Sequence, residues 1–560
     1  MELRKLQKLS LLAIAVFFVF SWILPNHYVP WRSAYQEFFS FLSCLILLFV
    51  STFFNRPKIT LGIVVFFGLA CVPLIQVISG KIYFSGDAWI ASIYLFGFFF
   101  ILFASYNLSL PLLSRYFLAQ VLAGAFIIGA MLSLWIALRQ WALLPSNIWV
   151  ADLPLGGRPF ANLAQPNSFA TLLCMGLAGV LYFYEKRCLG RFVAGLLAAF
   201  LIFGIALSQS RTPWVSALLI VIFWGWKSSV YTSRFSTRAL FAWLGIFILC
   251  IFLLPMLADS LLLSTSDPLG RAQSLERWDL WVQLWQAVLQ GPVWGYGWSQ
   301  VSLAQVDISL NHPVPLMTEH SHNVLLDLLL WNGPLLGGIS ILCISAWLLC
   351  LGCKARSAES LFGLIAVGFV LVHGMLEYPL EYAFFLFPVG LLLGMVAAEQ
   401  YPAYEIELPR WPLSIIFLLG IFLFGWVWRE YRIVEEDYRL MRFETARIGN
   451  LKAGHAAPDV ILLTQLRELI RFARTEARED MDTSELEWMR KVAHRYPYPS
   501  SLFRYALALG LNGDAQEAYK QMMILRSLHK IEFYEESVEA VRQMQKRYPQ
   551  LGSLVERLEG

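Results

Sequence analysis

The sequence predicts an all-α polytopic membrane protein of about thirteen spanning helices, followed by a soluble helical domain. Three observations predict it: a composition too apolar for water, a ladder of apolar runs of spanning length, and an abrupt change of character near residue 430. Of the 560 residues, 58% are hydrophobic and only 15% charged, with a mean hydropathy of +0.59. Soluble domains carry about a quarter of their residues as charges, so lipid is the solvent for most of this chain. The net charge of +4 is spread along the sequence and leaves no basic patch for nucleic acid.

A helix needs about 20 apolar residues to cross the hydrocarbon core. Such runs occupy roughly 9–25, 36–54, 59–79, 88–106, 116–138, 168–185, 192–209, 213–227, 239–258, 323–352, 361–376, 382–398 and 411–429. The run at 323–352 contains Asn332-Gly333-Pro334, a candidate break. The first run follows Met1-Glu2-Leu3-Arg4-Lys5 without a small-x-small cleavage site, which reads as a retained signal anchor. Basic residues cluster at Arg4, Lys5 and Lys8, at Arg56 and Lys58, at Lys186, Arg187 and Arg191, at Lys227, Arg234 and Arg238, and at Lys354 and Arg356. With thirteen spans every group falls on one side, the cytoplasmic one. The loops at about 139–167 and 259–322 and the tail then fall on the other side.

The expected organisation is N-terminal spans over 1–150, a core over 151–400 that carries the large loop 259–322, a last span at 401–429, and a helical domain over 430–560. Within that domain Ser501–Gly510, then Gly513-Asp514-Ala515 and Ala518-Tyr519, resembles one helix–turn–helix unit of a tetratricopeptide repeat. The eight cysteines form neither a disulfide framework nor a zinc site.

Polar groups at the outer ends of spans are the candidates for chemistry. Arg211, in Ser208-Gln209-Ser210-Arg211-Thr212-Pro213, sits between two apolar runs. It either snorkels at a helical hairpin or offers a guanidinium fork to phosphate oxygens. The segment from Gly156 to Asn167 carries Arg158 and three carboxamides, Asn162, Gln165 and Asn167. These suit sugar hydroxyls or phosphate; the alternative for Asn167 is a cap on the next helix. Residues 275–290 place Trp278, Trp281, Trp285 and Val288 at helical spacing, opposite Glu276, Asp279, Gln283 and Gln286, with Arg277 at the start. Such a helix fits the headgroup interface. The turn-rich run Gly291-Pro292-Val293-Trp294-Gly295-Tyr296-Gly297-Trp298 offers ring faces for a sugar or anchors a surface loop. Glu319-His320-Ser321-His322-Asn323 closes the loop, and a histidine at a membrane surface is a natural general base. Glu377-Tyr378-Pro379-Leu380-Glu381-Tyr382 forms a further outer turn.

Together these segments resemble the O-antigen ligase-like superfamily over roughly 150–400. The features are the Asn162/Gln165/Asn167 segment, Ser210-Arg211-Thr212, and Arg277-Trp278 leading into Gly291-Pro292 and Gly295-Tyr296-Gly297-Trp298. His322-Asn323 with Leu326 and Asn332-Gly333 completes the set. Glu377-Tyr378-Pro379-Leu380 and the tail look like the PglL-type protein O-oligosaccharyltransferases that glycosylate pilins.

The resemblance implies a GT-C-like glycosyltransferase of the bacterial inner membrane, with a cytoplasmic N-terminus and a periplasmic C-terminal domain. It implies an undecaprenyl-diphosphate-linked oligosaccharide as donor, no nucleotide sugar, no cofactor and no metal. The implied acceptor is a Ser or Thr hydroxyl of a pilin-like protein. Carried onto this chain, Arg211 and Arg277 hold the diphosphate and stabilise the leaving group. His322, which precedes Asn323 as the family pattern requires, orients or deprotonates the acceptor, with His320 as the competing candidate. Gln165 with Tyr378 or Tyr382 lines the site, and Arg158, Asn162, Asn167, Asn323 and Trp298 add substrate contacts. An O-antigen ligase acting on lipid A-core, or a polymerase, shares this chemistry. A polysaccharide or lipid transporter is the alternative from another class; against it stand the lack of matching halves and of midplane ionisable residues.

Overall fold

The computed structural model describes residues 2–145, 147–154, 156–227, 230–231, 233–261, 263, 273–400, 405–446, 448 and 456–560, without the side chains of 2–4 and 273–276. The expectations for Arg4 and Glu276 therefore fall outside the described side chains. All thirteen predicted runs are helical: α1 (Glu2–Ile23), α2 (Ala34–Ser51), α3 (Leu61–Ile78), α4 (Ser85–Ser109), α5 (Leu112–Trp141), α6 (Pro166–Glu185), α7 (Arg191–Leu207), α8 (Thr212–Lys227) and α9 (Thr237–Ser260) come first. Two helices of the large loop follow, α10 (Gln273–Gln290) and α11 (Val301–Ile308). Then come α12 (Val324–Lys354), α13 (Ala358–Gly374), α14 (Ala383–Ala397) and α15 (Trp411–Thr445). Among the described residues, nine helices are long and apolar enough to cross a membrane, and α7, α8, α13 and α14 are shorter apolar helices. The tail adds α16 (Thr464–Arg474), α17 (Thr483–Arg495), α18 (Pro499–Leu511), α19 (Ala515–Leu528), α20 (Ile531–Gln545) and α21 (Gly552–Glu559).

The chain forms two compact units, the first made of Met1–Leu69, Tyr94–Gly270 and Cys343–Gly425. Lipid supplies no hydrophobic drive between its helices, so close backbone approach does the packing. A Cβ on Gly176 or Gly179 of α6 would lie 2.7 Å from Ala130 Cβ or Ala123 O of α5. The loops of this unit sort by parity. Lys58 pairs with Glu405 at 2.5 Å, beside a short antiparallel pairing of β1 (Lys58–Thr60) with β2 (Glu405–Glu407). Lys186 meets Glu359 at 2.7 Å, Arg115 meets Glu399 at 3.8 Å, and Lys227 Nζ donates to Ala355 O at 3.0 Å. Glu399 also accepts the amides of Arg356 and Ser357. These contacts join the loops after α2, α4, α6, α8, α12 and α14 at one end. A second set joins the intervening loops: His27 with Asn162 O, Arg158 with Gln209 O, and Asn167 with Glu377. A chain crossing at each apolar helix alternates in this way.

The second unit comprises Ala70–Ile93, Arg271–Leu342 and Trp426–Gly560. The expected boundary at 430 lies inside α15, which runs on to Thr445 with the i,i+3 ion pairs Arg432–Glu435 and Glu436–Arg439 on its surface. Glu430 on that extension accepts the amides of Ile461, Leu462 and Leu463 at 2.8–3.0 Å and so ties down the start of α16. The segment with repeat-like spacing forms the hairpin α18–α19; Gly513 turns it at φ +88° and Asp514 caps α19 through the Glu517 amide.

The tail does not stand alone. Arg495, at the end of α17, makes a two-pronged pair with Asp87 of α4 at 2.9 and 3.0 Å and reaches Glu319 of the large loop at 3.6 Å. Arg495 and Asp87 are both buried. Removing one member of such a pair leaves a charge without its partner out of water and costs roughly 3–5 kcal/mol. Arg495→Ala is therefore expected to lower the thermal midpoint and open the tail to protease. The double substitution Asp87→Leu/Arg495→Met should recover most of that loss, as measured by thermal unfolding of the full chain in detergent.

Candidate functional site

In the first unit, carboxamides fold the loop between α5 and α6 before any substrate is considered. Gln140 donates to Ala151 O and Ala161 O at 2.8 and 2.7 Å and accepts the Ala161 amide. Asn162 is fully buried, donates to Ile23 O and Trp149 O, and accepts the Ala151 amide. Its side chain is thus spent on backbone, which corrects the expectation that Asn162 touches substrate.

Past this clasp the other candidates converge. Gln165 Nε2 donates to Tyr378 Oη at 2.9 Å. Asn167 Nδ2 donates to Glu377 Oε1 at 3.0 Å, and its Oδ1 accepts Ser210 Oγ at 2.6 Å, so it bridges two turns and does not cap α6. Ser210 Oγ accepts the Thr212 amide, and Arg158 holds Gln209 O at 3.1 Å. Gln209 sits at φ +49°, a left-handed conformation that a side chain makes costly. The turn carrying Arg211, itself exposed, is therefore held from both flanks. Buried His373 lies 3.0 Å from Thr171 Oγ1 on the adjacent α6, and the Tyr378 and Tyr382 rings sit 6.0 Å apart.

In the second unit, the broken helix organises the large loop. Gly333, at φ +75°, interrupts α12, and Pro334 has no N–H for the carbonyl of Leu330. Tyr296 N takes that carbonyl at 2.8 Å, while Gly297 N and Gln76 Nε2 take Trp331 O at 3.1 and 2.8 Å. A Cβ at Gly333 would lie 1.9 Å from Val293 O. Trp298 is buried here, stacked on Trp331 with centroids 4.4 Å apart and donating to Asn332 Oδ1. Its expected role as a sugar platform is corrected: it braces the break.

The helical face of α10 is corrected too. Leu280, Gln283, Leu284 and Ala287 are buried, whereas Trp278, Val282, Trp285 and Leu289 are exposed. Gln283 turns inward because it bonds His312 O and Gln305. The exposed tryptophan face still suits the headgroup interface. Arg277 is half-buried at the start of this helix.

The histidine loop is pinned on three sides. Trp281 Nε1 donates to Ser321 O at 2.8 Å, Ser321 N donates to Asp327 Oδ1 at 2.9 Å, and Thr318 N donates to Gln305 at 3.0 Å. Asn323 Oδ1 accepts the amides of Leu325 and Leu326, so it caps α12. Between these pins His322 adopts φ +59°, a strained conformation for a side-chain-bearing residue. Asp327, absent from the sequence candidates, was detectable as the lone carboxylate in a long apolar run. Glu377 and Ser210 stood inside quoted motifs, and only their partners reveal their place.

The family described as O-Antigen ligase matches residues 196–342, and one described as the C-terminal part of a virulence factor membrane-bound polymerase matches 361–545. The general O-oligosaccharyltransferase of Acinetobacter baylyi is 33% identical over 539 residues, covering 94% of this chain and 93% of that protein. The ComP-specific O-oligosaccharyltransferase of the same organism is 28% identical over 513 residues, covering 90% and 92%. No solved structure matches. Fold and similarity define a polytopic membrane glycosyltransferase. The chain belongs to the O-oligosaccharyltransferases of the O-antigen ligase-like superfamily.

Burial holds the His320 imidazole down at about 4, so it stays neutral through the physiological range. The unfolded chain takes up this proton near pH 6.5, whereas the fold refuses it until about pH 4. Its contribution to stability is therefore whole above about pH 6.5 and is lost as pH falls toward 4. Between about pH 7 and pH 5, His320→Gln should show a smaller fall in thermal midpoint than the wild type.

Proposed function

We propose that this enzyme moves a glycan from undecaprenyl diphosphate to a Ser or Thr hydroxyl of a pilin-like protein. The reaction takes place on the periplasmic face of the bacterial inner membrane, with the N-terminus in the cytoplasm. The parity of the loop contacts supports the sidedness: the basic loops gather at one end of the first unit, the end expected to face the cytoplasm. The ComP-specific relative, named for a particular protein, supports a protein acceptor over lipid A-core.

The observation that carries the mechanism is His322, held at φ +59° on a loop pinned by Trp281, Asp327 and Gln305. In this reading His322 takes the acceptor hydroxyl proton as that oxygen attacks the anomeric carbon. The bond from that carbon to the diphosphate oxygen breaks with inversion, and the lipid diphosphate leaves with the electron pair. Arg211 is assigned to the diphosphate, where a guanidinium on a braced turn stabilises charge developing on the leaving oxygen. Arg277 is the second cation of this reading. Gln165, Tyr378 and Tyr382 supply neutral hydrogen-bonding groups for the sugar or the acceptor. His320, neutral until about pH 4, is too weak a base at working pH to replace His322.

The test is intact mass of a pilin co-expressed with the enzyme and a lipid-linked glycan pathway, in cells lacking their own ligase. A glycan-sized increase is expected, lost at least about 100-fold in His322→Ala and retained in His320→Ala. Glycan on lipid A-core with an unmodified pilin would establish a ligase, and the reverse pattern for the two histidines would reassign the base.

A further inference from the structure

Helices α6 to α9, with α13, enclose an apolar slot of about 320 Å³ within the first unit. Arg191 and Ile205, fourteen positions apart on α7, both line it. At 1.5 Å per residue the slot therefore follows the helix for about 21 Å. Small residues keep it open: Ala194, Gly195 and Ala198 face it from α7, and a Cβ on Gly195 would meet only Trp243, at 3.9 Å. A slot that no side chain fills loses dispersion contacts along its whole lining, so its fitting occupant is a flexible hydrocarbon chain.

The two ends of the slot differ. Ile205 and Pro213 line the end that adjoins the Arg211 turn, and that lining is apolar. At the opposite end stands Arg191, with Arg187 and Arg234 in the same basic loops, while the neighbouring Lys186 is paired with Glu359 at 2.7 Å. Glu185, the nearby acid, is occupied by Ser233 Oγ and the amides of Arg234 and Phe235 at 2.7–3.0 Å. Among the described residues no side chain caps α7, so its first-turn amides add to the field that favours an anion there. A polyprenyl donor held at Arg211 would present its phosphates at the other end. We infer that the slot is a binding site for one anionic phospholipid from the leaflet beside the basic loops, with an acyl chain along α7 and its phosphate at Arg191.

The test is native mass spectrometry of the full-length protein, stripped of lipid in detergent and titrated with phosphatidylglycerol or phosphatidylcholine. One phosphatidylglycerol should be retained per chain in preference to phosphatidylcholine. Arg191→Ala should weaken retention about fivefold, and Gly195→Leu, which fills the slot, should abolish it. Circular dichroism checks folding, and the exposed Arg191 keeps the test decisive if the leucine variant does not fold. Equal retention of phosphatidylcholine, or retention unchanged in the folded variants, overturns the proposal. One-for-one displacement by polyprenyl diphosphate overturns it as well and gives the slot to the donor.

Discussion

Buried away from water, an unpaired backbone carbonyl has no solvent to turn to, and each costs a few kcal/mol. The interruption of α12 at Gly333-Pro334 exposes this chain to that penalty at Leu330 and Trp331. The amides of Tyr296 and Gly297, with the Gln76 carboxamide, supply the missing donors. The glycines of that segment are then required by close approach: a Cβ on Gly295 would lie 2.4 Å from Gly333 N. The path of the large loop follows. Its tryptophan and glutamine side chains close around the break, and the histidine loop hangs from the first turn of α12 through Asn323 and Asp327. The strained backbone of His322 persists because these pins over-determine it.

The first unit solves a different problem. Its helices approach closely at glycine and alanine, as α5 and α6 do at Gly176 and Gly179, and a few buried polar bonds such as Thr171 to His373 fix neighbours. Orientation and identity are written at its two ends. One end is a net of lysines, arginines and carboxylates between consecutive basic loops. The other joins the carboxamides of Gln165 and Asn167, the Ser210 hydroxyl, the Tyr378 phenol and the Glu377 carboxylate beside the Arg211 turn.

Legibility followed physical range. Arg211, Gln165, Tyr378 and His322 were visible because a polar group beside an apolar run is costly and stands out. Trp298 and Asn162 stood out equally, and the fold uses both as braces. A residue's own chemistry does not say whether its partner is a ligand or a carbonyl many positions away. Arg495 and Asp87 carried no local signal, since an arginine on a charged tail helix and an aspartate at a helix start are each ordinary. Their bond spans 408 positions.

The sequence by itself determined the solvent, the number of apolar helices, the alternation of basic loops and the break in α12, because each rests on the transfer energy or covalent geometry of neighbouring residues. Only the tertiary structure decided which polar groups are spent on backbone, as Asn162 is, and which bond other side chains, as Gln165 and Asn167 do. It also decided which face of α10 is buried, and that the tail is tied to the large loop through Arg495. Those outcomes depend on long-range pairing, in which a donor's partner is set by how the chain packs and not by the residues beside it.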